Sequence, residues 1–315
     1  MSVQITTAMV EQYSANVEYL AQQMNARFAG KTRVESQNGK TRYYEQIGAT
    51  SAVKVLSRHE DTPRIDTNHQ RRATYLNQYV WSDLIDQLDR PEILIDPTSA
   101  YAQNAAMAFN RAKDDEVIAA ATGTAYADTG TGNGAVTAVA FPASQQIGVQ
   151  DIAGNPTGGT NLGLTLQKLV HAKSILSAAE YPEGSKLYFA YRQKQLDNLL
   201  LNVTYFNDIH TAGVKALVGG DTQEFLGFEF IRSQRLGSSG SDTVNSVTAP
   251  ITTCFGYVET GLLLAVGQDQ TARVSERADK NYSTQVFVNM SIGATRMQEL
   301  YVVSVACDEA VASTG

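Results

Sequence analysis

Residues 40–81 constrain the fold more than any other stretch of the chain. Two runs, 42–47 and 73–81, carry Tyr43, Tyr44, Tyr75, Tyr79 and Trp81, aromatic residues that favour strands. Between them, residues 50–72 are polar: Lys54, Arg58, Arg64, Arg71 and Arg72 stand against Glu60, Asp61 and Asp66, with His59 and His69 in the same stretch. A single hairpin over 40–81 has arms of about 20 residues, which at the strand rise reach on the order of 60 Å. That exceeds the radius of a compact domain of this size. A polar tip of this kind has no place in its own core, and an isolated two-stranded ribbon is marginal in water. The pattern therefore predicts a ribbon completed by another molecule; a solvated charged loop is the plainer alternative.

The next constraint is a helix. Asp96-Pro97-Thr98-Ser99 supplies a turn and a capping hydroxyl, and residues 100–122 contain neither Gly nor Pro before Gly123. Ala102, Ala105, Ala106, Phe109, Ala112, Glu116 or Val117, and Ala120 trace its apolar face. About 23 residues make a rod of roughly 35 Å. Its small side chains suit close packing on a sheet. Upstream, Met9, Tyr13, Val17, Leu20, Met24 and Phe28 recur at helical spacing, so residues 7–28 read as an amphipathic helix, packed either on its own domain or, as an arm, on a neighbour.

The remaining pattern is mixed. Residues 123–163 hold nine glycines, with room for a short hairpin over 135–141. Residues 164–179 read as a helix ended by Tyr181-Pro182-Glu183-Gly184, 186–191 as a strand, 193–202 as a helix and 225–231 as a strand. Val286, Val288, Met290 and Ile292 fall on alternate positions, and 300–307 alternates similarly, as in a sheet packed on one face, here expected against the long helix. Residues 273–276 are expected to open this strand system. The fold class is α+β.

Chemistry is sparse. With 315 residues, 43% of them hydrophobic, and a net charge of −7, the chain is long and apolar enough to fold around a large core. No apolar run approaches the ~18 residues of a membrane helix, and residues 1–10 carry no basic flank followed by an apolar block, so neither membrane insertion nor a secretory signal is expected. The acidic balance, 25 basic against 32 acidic residues, argues against a protein that wraps nucleic acid. Cys254 and Cys307 have no zinc or disulfide spacing and read as small buried hydrophobes in a reducing compartment. His59, His69, His171 and His210 form no metal motif. Gly130-Thr131-Gly132-Asn133-Gly134 lacks the Gly-Lys-Ser/Thr end of a phosphate loop, and Gly237-Ser238-Ser239-Gly240-Ser241 lacks the last glycine of a nucleophile elbow. Asp114-Asp115-Glu116 points three ways around a helix, which suits a solvated face and intersubunit pairs better than an acid/base dyad. No enzymatic activity, cofactor or metal is expected.

The order of these parts resembles the major capsid proteins of tailed bacteriophages, the Hong Kong 97-type fold. The local text Ile47-Gly48-Ala49-Thr50-Ser51-Ala52-Val53, Arg58-His59-Glu60-Asp61-Thr62-Pro63, Ile95-Asp96-Pro97-Thr98-Ser99 and Asp114-Asp115-Glu116 is similar to one phage-capsid subfamily. The resemblance covers nearly the whole chain, and none of its motifs is catalytic. It implies an N-terminal arm over 1–35, an extended loop over 36–82, a peripheral domain over 83–185 with its spine helix at 99–122, an axial domain over 186–267 and a return to the peripheral domain over 268–315. It also implies an icosahedral head of hexamers and pentamers around double-stranded DNA held without sequence specificity. Further implied partners are a portal, possible decoration proteins, and a separate scaffolding protein or prior cleavage, since only about 35 residues precede the hairpin. Some relatives cross-link Lys to Asn; Lys54 is a conceivable donor, without a local catalytic setting. In the shell, the hairpin's Lys54, Arg58, His59, Glu60, Asp61, Arg64, Arg71 and Arg72 are expected to meet acidic rims such as Asp114, Asp115 and Glu116 of a neighbour. An encapsulin-type nanocompartment shares the fold, and an α/β hydrolase-like enzyme is the alternative from another class.

Overall fold

The protein is described by a computed structural model covering residues 22–54, 57, 61–62, 64–85, 97–128, 136–150, 161–203, 224–239 and 250–309. In chain order the strands are β1 (Arg33–Ser36), β2 (Thr41–Ile47), β3 (His69–Tyr75) and β4 (Asn77–Ile85), followed by helix α1 (Pro97–Thr122). After it come β5 (Ala125–Asp128), β6 (Val136–Val139), β7 (Gln146–Ile147), α2 (Leu166–Ala178), β8 (Leu187–Tyr191) and α3 (Gln193–Val203). The chain continues through β9 (Glu224–Phe225), β10 (Phe228–Arg232), β11 (Ser238–Ser239) and β12 (Ile251–Val258). Three strands close it: β13 (Leu262–Arg277), β14 (Ser283–Arg296) and β15 (Val302–Asp308). Among the described residues no helix is long and apolar enough to cross a bilayer. Two compact units divide these elements: one of Met1–Ala26, Gln78–Ala112 and Gln268–Ser291, the other of Arg27–Asn77, Lys113–Gly267 and Ile292–Gly315.

In the larger unit a seven-stranded sheet runs β7-β15-β12-β8-β10-β9, with β11 attached to β12. β8 and β10 are parallel, Phe228 opposite Leu187 through Arg232 opposite Tyr191. The expected single strand over 225–231 is instead two: Leu226 and Gly227 take φ of 52° and 79° and fold β9 back on β10, the geometry a two-residue hairpin turn requires. β15 also departs from the expected alternation, because all seven of its residues are buried. It lies between β7 and β12 and has both faces covered, so no residue needs to be polar for water's sake. Helix α2 packs on β15, with Leu169, Ala172 and Leu176 fully buried, and Thr165 caps its start by accepting the N–H of Lys168. Lys168 is itself buried. Its ammonium donates to the carbonyls of Ala306 (2.7 Å), Val149 (3.0 Å) and Leu162 (3.1 Å), which offsets the cost of taking the charge out of water.

Phe28 enters this core, stacked on Phe255 with ring centroids 5.9 Å apart. The helix expected over 7–28 falls outside the described residues as far as 21, and residues 22–28 are not helical. The partner there is distant in sequence: the Asp114 carboxylate accepts the backbone N–H groups of Arg27 (2.8 Å) and Phe28 (3.2 Å), which inside a helix would be bonded to carbonyls one turn back.

A second sheet in this unit runs β2-β3-β5-β6. β2 and β3 are antiparallel, from Thr41 opposite Tyr75 to Ile47 opposite His69. The hairpin is therefore real, but its ladder is shorter than the sequence suggests. Seven residues per arm span roughly 24 Å at the strand rise, and the last bond runs from the Gly48 N–H to the Asn68 carbonyl. Beyond it come Gly48, Ala49 and Ser51, poor strand formers. Nor is the ribbon isolated, since β5 pairs with the other edge of β3. The run expected over 73–81 breaks at Leu76, after which β4 joins a different sheet, ordered β1-β13-β14-β4. Gly293 permits the close approach this needs: a Cβ there would stand 1.9 Å from the Tyr75 carbonyl oxygen.

In the smaller unit, the alternating Val286, Val288 and Met290 of β14 are buried as expected. β13 is far longer than the expected opening at 273–276. The Asn110 amide of α1 donates to the Met24 carbonyl (2.9 Å) and Gln270 of β13 donates to Asn110 Oδ1 (3.2 Å). Helix α1 starts at Pro97, two residues before the expected 99. Pro lacks only an N–H that the first helical position leaves unpaired anyway. Thr98 and Ser99 thus lie within the helix, and Asp96 is outside the described residues.

Candidate assembly surface

The hairpin has a fixed root and an exposed far part. At the root Tyr44 is buried with Leu263 and Met297, and the Arg42 guanidinium lies 4.8 Å from the Tyr44 ring centre. The Gln46 amide donates to the Met297 carbonyl, and the Gln37 amide to the Thr74 carbonyl at 3.3 Å. Beyond the ladder every described residue from 48 to 68 is exposed, including the apolar Val53 and Ile65. Ile47, at the last rung, is 70% exposed.

The sequence-expected contact residues divide by this boundary. Lys54 and Asp61 are exposed, and Arg64 is exposed with its guanidinium 3.1 Å from Asp66. Arg71 pairs with Glu45 across the ladder at 3.2 Å, also in the open. Arg58, His59 and Glu60 lie outside the described residues. Arg72 requires correction: only 3% of its side chain is exposed, and it pairs at 2.6 Å with Glu299 of its own chain. Arg296, wholly buried, lies 3.9 Å from the same carboxylate oxygen and donates to the Ala121 and Gly123 carbonyls at the end of α1, with the Phe141 ring 4.8 Å away. Burial pushes the Arg296 guanidinium below its usual range; Glu299 opposes this and the Arg72 charge adds to it. Arg72 is thus committed inside the subunit and unavailable to a neighbour's rim.

Asp114 requires the same correction. It is completely buried and holds the backbone of Arg27 and Phe28. Asp115 makes a two-pronged pair with Arg235, and Glu116 accepts from the Asn77 amide at 2.8 Å. Three consecutive carboxylates on one helix thereby tie it to three separate segments, the divergence that helical geometry dictates. Sequence reasoning missed Glu299, Arg296, Arg235 and Asn77. The i,i+3 spacing of Arg296 and Glu299 is the one local signal for any of them.

Among the described residues the arrangement fixes a stem and presents a tip. Together with the sheets and the long helix, it defines a structural shell subunit of the Hong Kong 97 type. The chain belongs to the phage capsid protein family, whose sequence profile matches residues 5–309. Its fold is similar to the capsid of Ralstonia phage GP4 (TM-score 0.70, 8% identity, 98% of this chain and 97% of that one). It is likewise similar to the capsid of Cyanophage Pam1 (0.69, 14%, 96% and 97%) and that of Cyanophage P-SCSP1u (0.66, 15%, 96% and 93%). No curated protein sequence matches. The protein is a major capsid protein that forms the shell of a phage head, and its place is the virion capsid. The family match sets aside the nanocompartment and hydrolase alternatives.

Proposed function

We propose that the hairpin is the element by which one copy holds the next. The observation that carries this is the contrast along one ribbon: a root packed among Tyr44, Leu263 and Met297, and described residues 48–68 exposed throughout. In this reading residues 1–35 are an arm, 36–82 the extended loop, 83–185 a peripheral domain, 186–267 an axial domain around the capsomer centre and 268–315 the return. Copies form hexamers and pentamers through heterologous contacts, a patch on one meeting a different patch on the next. Lys54, Asp61, Arg64 and Arg71 set register at the rim of that contact rather than supplying its affinity. Many individually weak contacts allow misplaced copies to leave before the lattice multiplies their hold.

A separate scaffolding protein and a portal complete the assembly. The packaged DNA is held without sequence specificity, and the chain's acidic balance keeps the shell from adhering to it. The protein has no enzymatic role. Deleting residues 52–70 tests the reading. The variant is expected to fold and remain soluble yet form no closed shells by electron microscopy; normal particles would refute it.

A further inference from the structure

The connection between β1 and β2, residues 37–40, is pinned at both ends and open in the middle. At one end the Gln37 N–H donates to the Val266 carbonyl (2.9 Å), and the Gln37 side-chain amide donates to the carbonyls of Gly39 (3.2 Å) and Thr74 (3.3 Å). At the other end the Lys40 carbonyl accepts the Leu76 N–H at 3.1 Å. Between them Asn38 and Gly39 are exposed. Neither the Asn38 side chain nor the Gly39 N–H has a hydrogen-bond partner among the described residues. Gly39 takes φ of 93°, and no atom stands within 4 Å of where a Cβ would be. Among the described asparagines Asn38 alone precedes a glycine.

An unprotected Asn-Gly pair in open backbone has a chemistry of its own. The glycine nitrogen can reach the asparagine Cγ, because glycine has no Cβ to shield it and its backbone turns freely. As the N–Cγ bond forms, the Cγ–Nδ2 bond breaks. Nδ2 takes up the glycine N–H proton and leaves as ammonia, and a five-membered succinimide remains. Water then opens the ring at one carbonyl to give aspartate, or at the other to give isoaspartate. No oxidant, metal or enzyme enters the balance. We propose that Asn38 of the folded subunit is such a modification site, where an uncharged side chain at the foot of the hairpin becomes a carboxylate without a second protein. Residues 33–42 carry Arg33, Lys40 and Arg42 against Glu35, so the local formal charge falls from +2 to +1. The isoaspartate product also inserts one carbon into the backbone between the two pinned ends, inside the loop that the Gln37 amide closes on Gly39.

The test is ageing of the full-length subunit, folded and in urea, in mildly alkaline H₂¹⁸O, with peptides covering 37–40 followed by mass spectrometry. In the folded subunit the expected result is exchange of –NH₂ for –¹⁸OH at Asn38, faster than at every other described asparagine. Isoaspartate and aspartate should appear as two products separable by chromatography. N38Q should lose the mass gain, since its ring would need six members, and an exposed side chain without partners leaves the fold intact on replacement. An Asn38 that stays an amide in the folded subunit overturns the proposal, and its conversion in urea alone would show that the fold protects it. A mass gain that survives in N38Q also overturns it, by assigning the change to Gln37. Aspartate as the sole product overturns the succinimide route.

Discussion

Arg72 and Glu299 stand 227 residues apart in sequence and meet at 2.6 Å, where Glu299 also faces the buried Arg296. One carboxylate thereby links the hairpin's second strand to the cation that closes the end of α1.

Removing that carboxylate leaves two buried guanidinium groups without their counter-charge. Glu299→Ala is expected to cost about 3–5 kcal/mol of subunit stability. Urea denaturation of the unassembled subunit measures it. A loss below about 1 kcal/mol would show that Glu299 does not link the two cations.

Neighbouring carboxylates on α1 should differ sharply. Asp114→Ala strips a buried acceptor from two backbone N–H groups and is expected to cost roughly 2–3 kcal/mol. Asp115→Ala breaks a partly exposed pair with Arg235 and is expected to cost about 0.2–1 kcal/mol. Parallel thermal and urea melts of the two variants check the ranking, and equal losses would contradict it.

At the tip of the β13–β14 hairpin the Arg277 guanidinium donates to Asp279 at 2.7 and 2.8 Å and lowers its carboxyl to about 2. A depressed carboxylate contributes stability that is complete above its unfolded value, 3.8 here, and is lost as pH falls through the folded value. The pair should therefore persist at pH 4 and disappear only near pH 2. Carboxyl chemical shifts titrated by NMR report this directly, and Arg277→Gln should return the midpoint towards 3.8.

Cys254 and Cys307 are fully buried on adjacent strands, two rungs apart diagonally. A hydrogen bond with Cys307, with burial adding to it, pushes the Cys254 thiol well above its ordinary value. Neither thiol should react with a maleimide in the folded subunit, and both should react in denaturant. Labelling of the native subunit at either residue would contradict this.

What could be read from the sequence followed local periodicity. The alternation of Val286, Val288, Met290 and Ile292 names the buried face of β14. The absence of Gly and Pro over 100–122 names α1, which Gly123 ends with its N–H on the Ala119 carbonyl. What could not be read depended on distant partners. Arg72 looks like every other cation of the hairpin until Glu299 is brought beside it. Asp114, Asp115 and Glu116 read as a solvated cluster, yet their partners come from residues 27–28, 235 and 77. The break after β3 has a related cause. Strand propensity marks 73–81 as continuous, but the chain leaves one sheet for another at Leu76, where Gly293 lets the two backbones meet.

The central claim is that the exposed ribbon beyond Ile47 and His69 is covered only by another copy. Hydrogen–deuterium exchange of peptides spanning 48–68, compared between free subunits and assembled shells, measures this most directly. The account predicts fast exchange in the subunit and marked protection in the shell. Equal exchange in the two states would contradict it.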